Sequence, residues 1–101
     1  MARASDSDGE ARRLLNDGNL KLVGPPPDPA GAIALYQKVL SLKPSEAVLG
    51  SAYRSLGIAY ARQGNVEEGA RYYRLYLPLC RDPKEKAQIQ KYLEMFDSQR
   101  K

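Results

Sequence analysis

Arg54, Ile58 and Arg62 stand four residues apart, a spacing that puts side chains in one row on a helix. Two guanidiniums around an isoleucine suit a segment that offers carboxylates beside an apolar side chain, because the planar guanidinium fork pairs with carboxylate oxygens. The plainer reading is two arginines solvated on a helix surface, and the residue types alone leave both open. Acid–base and covalent chemistry have less to work with. There is no His, no Trp and a single Cys. His is the usual general base near neutral pH. A zinc site normally takes several Cys or His ligands, and Cys80 stands alone. The expectation is therefore binding without catalysis, metal or cofactor. Cys80 reads as a small buried apolar residue. A lone thiol, unable to close a disulfide within the chain, suits a reducing compartment, here the cytoplasm.

The net charge is +4 over 101 residues. Lys and Arg are spread along the chain, densest at Arg12-Arg13 and Lys84/Lys86. This reads first as a solvated surface and second as a preference for an acidic partner. No strip of basic and aromatic residues is present, so nucleic acid is not an expected partner. No apolar run reaches the roughly 18 residues of a membrane span.

A binding strip needs elements to hold it, and five helical segments are predicted. The first covers about 9–23, with Ala11, Leu14, Leu15, Gly18 and Leu22 on one face and Asp6 or Ser7 as cap. Gly24-Pro25-Pro26-Pro27 stops it. The second runs over about 29–42, with Asp28 as N-cap, Pro29 at the first helical position and a stripe of Ala32, Ile33, Tyr36, Val39 and Leu40. Ser45-Glu46 opens the third, which carries Leu49, Tyr53, Leu56, Gly57 and Tyr60 and ends at Gly64-Asn65. The fourth, to about residue 80, carries Ala70, Tyr73, Leu77 and Cys80, with Pro78 kinking or breaking its last turn. Asp82-Pro83 opens the fifth, with Ile89, Tyr92, Leu93 and Phe96 as its stripe. No segment shows strand alternation, so the fold class is all-α. Residues 1–8 are expected to be a disordered lead-in, 9–96 a single helical domain and 97–101 a frayed tail. The seven tyrosines are assigned to packing with hydroxyls at the surface. Tyr72 lies off its helix's stripe and is expected to be exposed.

The chain also repeats itself. Residues 32–42 align with 69–79 at an offset of 37, matching Tyr36 with Tyr73, Leu40 with Leu77 and Leu42 with Leu79. Tyr53, Leu56-Gly57 and Tyr60 on one helix, Gly64-Asn65 at the turn, and Gly69 and Tyr73 on the next resemble the tetratricopeptide repeat. So do Ala32, Tyr36, Val39, Leu40 and Pro44 in the earlier unit, with Gly18-Asn19 on the first helix. The resemblance implies an α-solenoid of about five antiparallel helices: one repeat at about 11–44, a second at about 47–81 and a capping helix at 83–96. It implies a concave groove for a peptide, lined by Ser51, Arg54, Ile58, Ala61 and Arg62. The first helix would add Arg12, Leu15, Asn19 and Leu22, and the fifth Gln90 and Glu94. Asn19 matches one Asn of the clamp with which some members hold C-terminal carboxylates. Leu15 and Ser55 replace the other clamp residues, so that mode is not expected.

The function implied is a scaffold or adaptor that binds a protein or peptide, acidic and apolar in character. The alternatives are a small secretion-type chaperone and the repeat fragment of a larger signalling protein such as a kinase. Two repeats fall below the usual minimum of three. That leaves marginal stability alone, a homodimer, or a segment of a longer chain as open readings.

Overall fold

The helices are set by short local signals, and the computed structural model shows each in place. It describes residues 4–99, with side chains from Asp8 onward. The order is α1 (Ala4–Val23), α2 (Pro29–Ser41), α3 (Glu46–Arg62), α4 (Val66–Tyr76), a 3₁₀ turn (Leu77–Leu79) and α5 (Pro83–Gln99). The fold is all-α, with no strand among the described residues. Asp28 caps α2 by accepting from Gly31 N at 2.9 Å. Asn65 caps α4 by accepting from Glu68 N at 3.3 Å, and Asp82 Oδ1 accepts from Lys84 N at 3.0 Å in the first turn of α5. Pro78 falls inside the 3₁₀ turn, where α4 ends as its missing N–H requires. Gly64, with φ +82°, turns the chain from α3 into α4.

Two boundaries depart from the expectations. α1 begins at Ala4, so residues 4–8 are helical rather than a disordered lead-in, and Asp6 and Ser7 lie within the helix instead of capping it. A long-range bond accompanies this. Asp8 Oδ1 accepts from Ser45 N at 2.8 Å, fixing the start of α1 to the entry of α3. Ser45 makes no side-chain cap bond of its own. At the other end α5 continues to Gln99, so residues 97–99 are helical rather than frayed. Residues 1–3 and 100–101 lie outside the described part.

Packing follows the helix pairs. α1 lies along α2 and α3 along α4, while α2 and α1 both touch α3. α5 rests on α4 and the 3₁₀ turn. The same close contact recurs in both pairs. A Cβ at Gly18 would come within 2.6 Å of Tyr36 Cε1, and one at Gly57 within 2.9 Å of Tyr73 Cε1. Each glycine thus admits a tyrosine ring from the next helix.

Leu22, Ala32, Tyr36, Leu56, Ala59 and Tyr72 form the central core, where the two pairs meet. Ala11, Val39, Val48 and Ala52 form a second cluster. Ala70, Ile89 and Leu93 form a third, between α4 and α5. Burying a large apolar side chain of this kind contributes roughly 1.5–3 kcal/mol. Tyr72 is a correction to the expectation of exposure. It is buried, stacked on Tyr60 with ring centroids 5.7 Å apart, and its hydroxyl accepts from Gln37 Nε2 at 3.1 Å.

Candidate functional site

α3 and α5 do not close on each other, and a cleft of about 270 Å³ lies between them. Ile58 and Ala61 of α3 form one wall, Ile89 and Tyr92 of α5 the other. Tyr73 of α4 also lines it, and its ring meets Tyr92 edge-on with centroids 5.5 Å apart. The cleft exists because α5 is anchored by Ile89 and Leu93 onto Ala70 of α4, not onto α3.

One end of the cleft is held by an ion pair. Arg54 Nε donates to Glu85 Oε2 at 2.5 Å. Glu85 Oε1 also accepts from the Tyr76 hydroxyl at 2.7 Å, with the Cys80 thiol nearby at 3.7 Å. The Arg54 and Tyr76 hydrogen bonds hold the Glu85 carboxyl below its ordinary range. The same pairing raises the Arg54 guanidinium. Burial, with the bonds to Cys80 and Glu85, pushes the Tyr76 hydroxyl well up. At neutral pH the cluster is therefore a charged Arg54, an ionised Glu85 and a neutral, donating Tyr76.

Beyond the ion pair lies a second hollow of about 270 Å³, lined by Ser51, Arg54, Tyr76 and Arg81. Ser51 is exposed and donates to Ala47 O at 3.2 Å. Beyond Tyr92, at the far end of α5, a third hollow of about 240 Å³ is lined by Val66, Met95, Phe96 and Gln99. Val66 and Met95 are 46 % and 55 % exposed, so this end offers an apolar surface continuous with the cleft through Tyr92.

The structure brings together part of the expected site. Arg54 and Ile58 line one cleft, and Ser51 and Arg54 line the next hollow. Arg62 is exposed at the C-terminal end of α3 and, among the described residues, forms no ion pair. Burial raises the hydroxyls of both Tyr36 and Tyr73, and Arg62 opposes this only behind Ser55 at Tyr36 and behind Arg54 at Tyr73.

The α1 residues do not join this surface. Leu15 packs half-buried against the first two core clusters, and Leu22 is buried in the central one. Asn19 Oδ1 accepts from the Tyr36 hydroxyl at 2.5 Å and from Ser55 Oγ at 3.3 Å, so its carbonyl is spent on holding α1, α2 and α3 together. Arg12 reaches toward Asp8 at 4.0 Å. α1 touches α3 directly, whereas α5 packs on α4 and the 3₁₀ turn.

On α5 the cleft is faced by Glu85, Gln88, Ile89 and Tyr92 rather than by Gln90 and Glu94. Glu85 was not legible as a site residue, although it continues the Ile89, Tyr92 and Phe96 stripe one turn back. Among the described residues, no cluster of three or more His, Cys, Asp or Glu is placed to hold a metal ion. No described helix is long and apolar enough to cross a membrane. No protein-family model, curated protein or solved structure matches this chain.

Proposed function

We propose that this chain is a non-catalytic protein-interaction module of the tetratricopeptide type, which seats a short acidic–apolar peptide segment in the α3–α5 cleft. The observation that carries the reading is the cleft itself: apolar walls of Ile58, Ala61, Ile89 and Tyr92, beside a helix end where Arg62 forms no ion pair among the described residues. An apolar recess next to an unneutralised guanidinium favours a segment with a carboxylate beside an apolar side chain.

The solenoid reading is supported by the glycine–tyrosine contact that recurs in both helix pairs. α5 carries exposed Lys84, Lys91 and Glu94, which suits a capping helix with a polar outer face. The absence of His from the sequence supports a binding role over catalysis. Cys80, buried and unpaired, suits the cytoplasm.

The test is a titration of isotopically labelled protein with synthetic heptapeptides carrying a central Glu-Leu pair in a Gly/Ser frame. Amide and side-chain shifts are expected at Ile58, Ala61, Tyr73, Ile89 and Tyr92. Shifts confined to another face, or none at millimolar peptide, overturn the reading.

A further inference from the structure

The two helix pairs differ at one position that bears on the cleft. In the first pair, Gly18 is followed by Asn19, whose Oδ1 accepts the Tyr36 hydroxyl at 2.5 Å. In the second pair, Gly57 is followed by Ile58. Tyr73 packs on Gly57 as Tyr36 packs on Gly18, but isoleucine has no acceptor to give it. Among the described residues the Tyr73 hydroxyl has no hydrogen-bond partner, and Tyr73 lines the cleft.

The Tyr73 hydroxyl is not a buried orphan, since no fully buried polar side-chain atom lacks a partner among the described residues; it opens to solvent in the cleft, where a bound acceptor would replace water. The surroundings choose which acceptor. Burial raises the Tyr73 hydroxyl, and of the cations acting against it Arg54, which lines the cleft, comes before Arg62, which follows the lining residue Ala61 on α3. Glu85, the acid of the same cleft, is engaged by Arg54 and Tyr76. The walls beside the phenol are apolar. An anionic oxygen is favoured at the hydroxyl, with an apolar group next to it.

We infer that the carboxylate of the bound peptide's acidic residue accepts a hydrogen bond from the Tyr73 hydroxyl with Arg62 alongside, while the adjoining apolar side chain lies against Ile58 and Ile89. This rests on the cleft being the peptide site, and it names the residue that reads the peptide's acid. Ile58 is the specificity switch: an acceptor at that position, as in the first pair, would satisfy the tyrosine from within the chain.

The experiment measures fluorescence anisotropy of labelled heptapeptides with a central Glu-Leu, Gln-Leu or Lys-Leu pair, on the wild type, Tyr73→Phe, Ile58→Asn and Arg62→Gln. Circular dichroism checks that each variant is folded. The wild type is expected to prefer Glu-Leu over Gln-Leu by about tenfold or more, the scale of a hydrogen bond to a charged group. Tyr73→Phe, which removes only the hydroxyl, is expected to erase most of that preference. Ile58→Asn should do the same, because the introduced amide takes the hydroxyl. If Tyr73→Phe keeps the full preference, or if only Arg62→Gln loses it, the hydroxyl does not read the acid and the inference fails while the cleft reading stands. If no peptide binds the wild type in the cleft, both fall.

Discussion

Arg54 Nε meets Glu85 Oε2 at 2.5 Å and so joins α5 to α3 at one end of the cleft. α5 otherwise leans on α4 and the 3₁₀ turn, so this carboxylate sets how far the cleft opens. The two side chains are 48 % and 25 % exposed, which keeps the pair in the range of about 0.2–1 kcal/mol typical of exposed ion pairs. The Tyr76 hydroxyl bond to the same carboxylate adds about 0.5–1.5 kcal/mol. Glu85→Ala is expected to destabilise α5 locally by about 1–2 kcal/mol. Hydrogen exchange should show it as faster amide exchange along α5 with α1 and α2 unchanged. Uniform acceleration, or none, would contradict the role of Glu85 in tying α5 to α3.

The same residue gives stability a pH dependence of known sign. Arg54 first, then Tyr76, depresses the folded-state acid constant of Glu85, whereas the unfolded value is about 4.3. A carboxyl depressed on folding contributes stability that is fully present above the unfolded pKa and is lost as pH falls through the folded one. Asp8 acts in the same direction, lowered by its bond from the Ser45 backbone. Urea midpoints should be flat from neutral pH down to about 5 and fall below about 4. Glu85→Gln should flatten that acid limb. An unchanged limb would show that Glu85 is not a source of it.

The helices were legible because their signals are local: Asp28 before Pro29, Asn65 after Gly64, Asp82 before Pro83, each with a hydrophobic period behind it. What was hidden depends on distant partners. The bond from Ser45 to Asp8 spans 37 residues, so nothing near Asp8 announces that residues 4–8 are helical. Tyr72 was misread because a single apolar stripe assumes one buried face. α4 has two, with Tyr72 turned toward Tyr53 and Tyr60 of α3 and Tyr73 and Ala70 toward α5. Of the strip Arg54, Ile58 and Arg62, the first two line the cleft and Arg62 does not. Leu15 and Leu22 stand on the apolar stripe of α1 and pack with the core rather than on a groove, which depends on how closely α1 meets α3.

The paired glycines give a graded test of packing. A Cβ at Gly18 would sit 2.6 Å from Tyr36 Cε1, and Tyr36 is fully buried and tied to Asn19, so its ring has nowhere to move. A Cβ at Gly57 would sit 2.9 Å from Tyr73 Cε1, but Tyr73 is half-buried beside an open cleft. Overpacking of this kind costs about 1–3 kcal/mol, and alanine returns about 1 kcal/mol of helix propensity at each site. Gly18→Ala is expected to destabilise by about 1–2 kcal/mol, and Gly57→Ala by less than about 1 kcal/mol. Chemical denaturation of the two variants checks the order. Equal losses would mean that the cleft gives Tyr73 no room.

Tyr72 separates a core residue from a surface one most sharply. Its ring stacks on Tyr60 with an interplanar angle of 4°, Tyr53 lies 6.1 Å away, and the Arg71 guanidinium sits 4.6 Å above the ring centroid. The hydroxyl joins α4 to α2 through Gln37. Tyr72→Phe keeps the stack and removes that bond, so the expected loss is about 0.5–1.5 kcal/mol. Tyr72→Ala opens a cavity where the two helix pairs meet, and large aromatic truncations of this kind cost about 3–5 kcal/mol. For a domain this small that approaches the whole stability, which is typically about 5–15 kcal/mol. Thermal unfolding of both variants distinguishes the cases. A change within about 0.5 kcal/mol for Tyr72→Ala is what an exposed side chain would give, and it would remove Tyr72 from the contact that holds the second helix pair against the first.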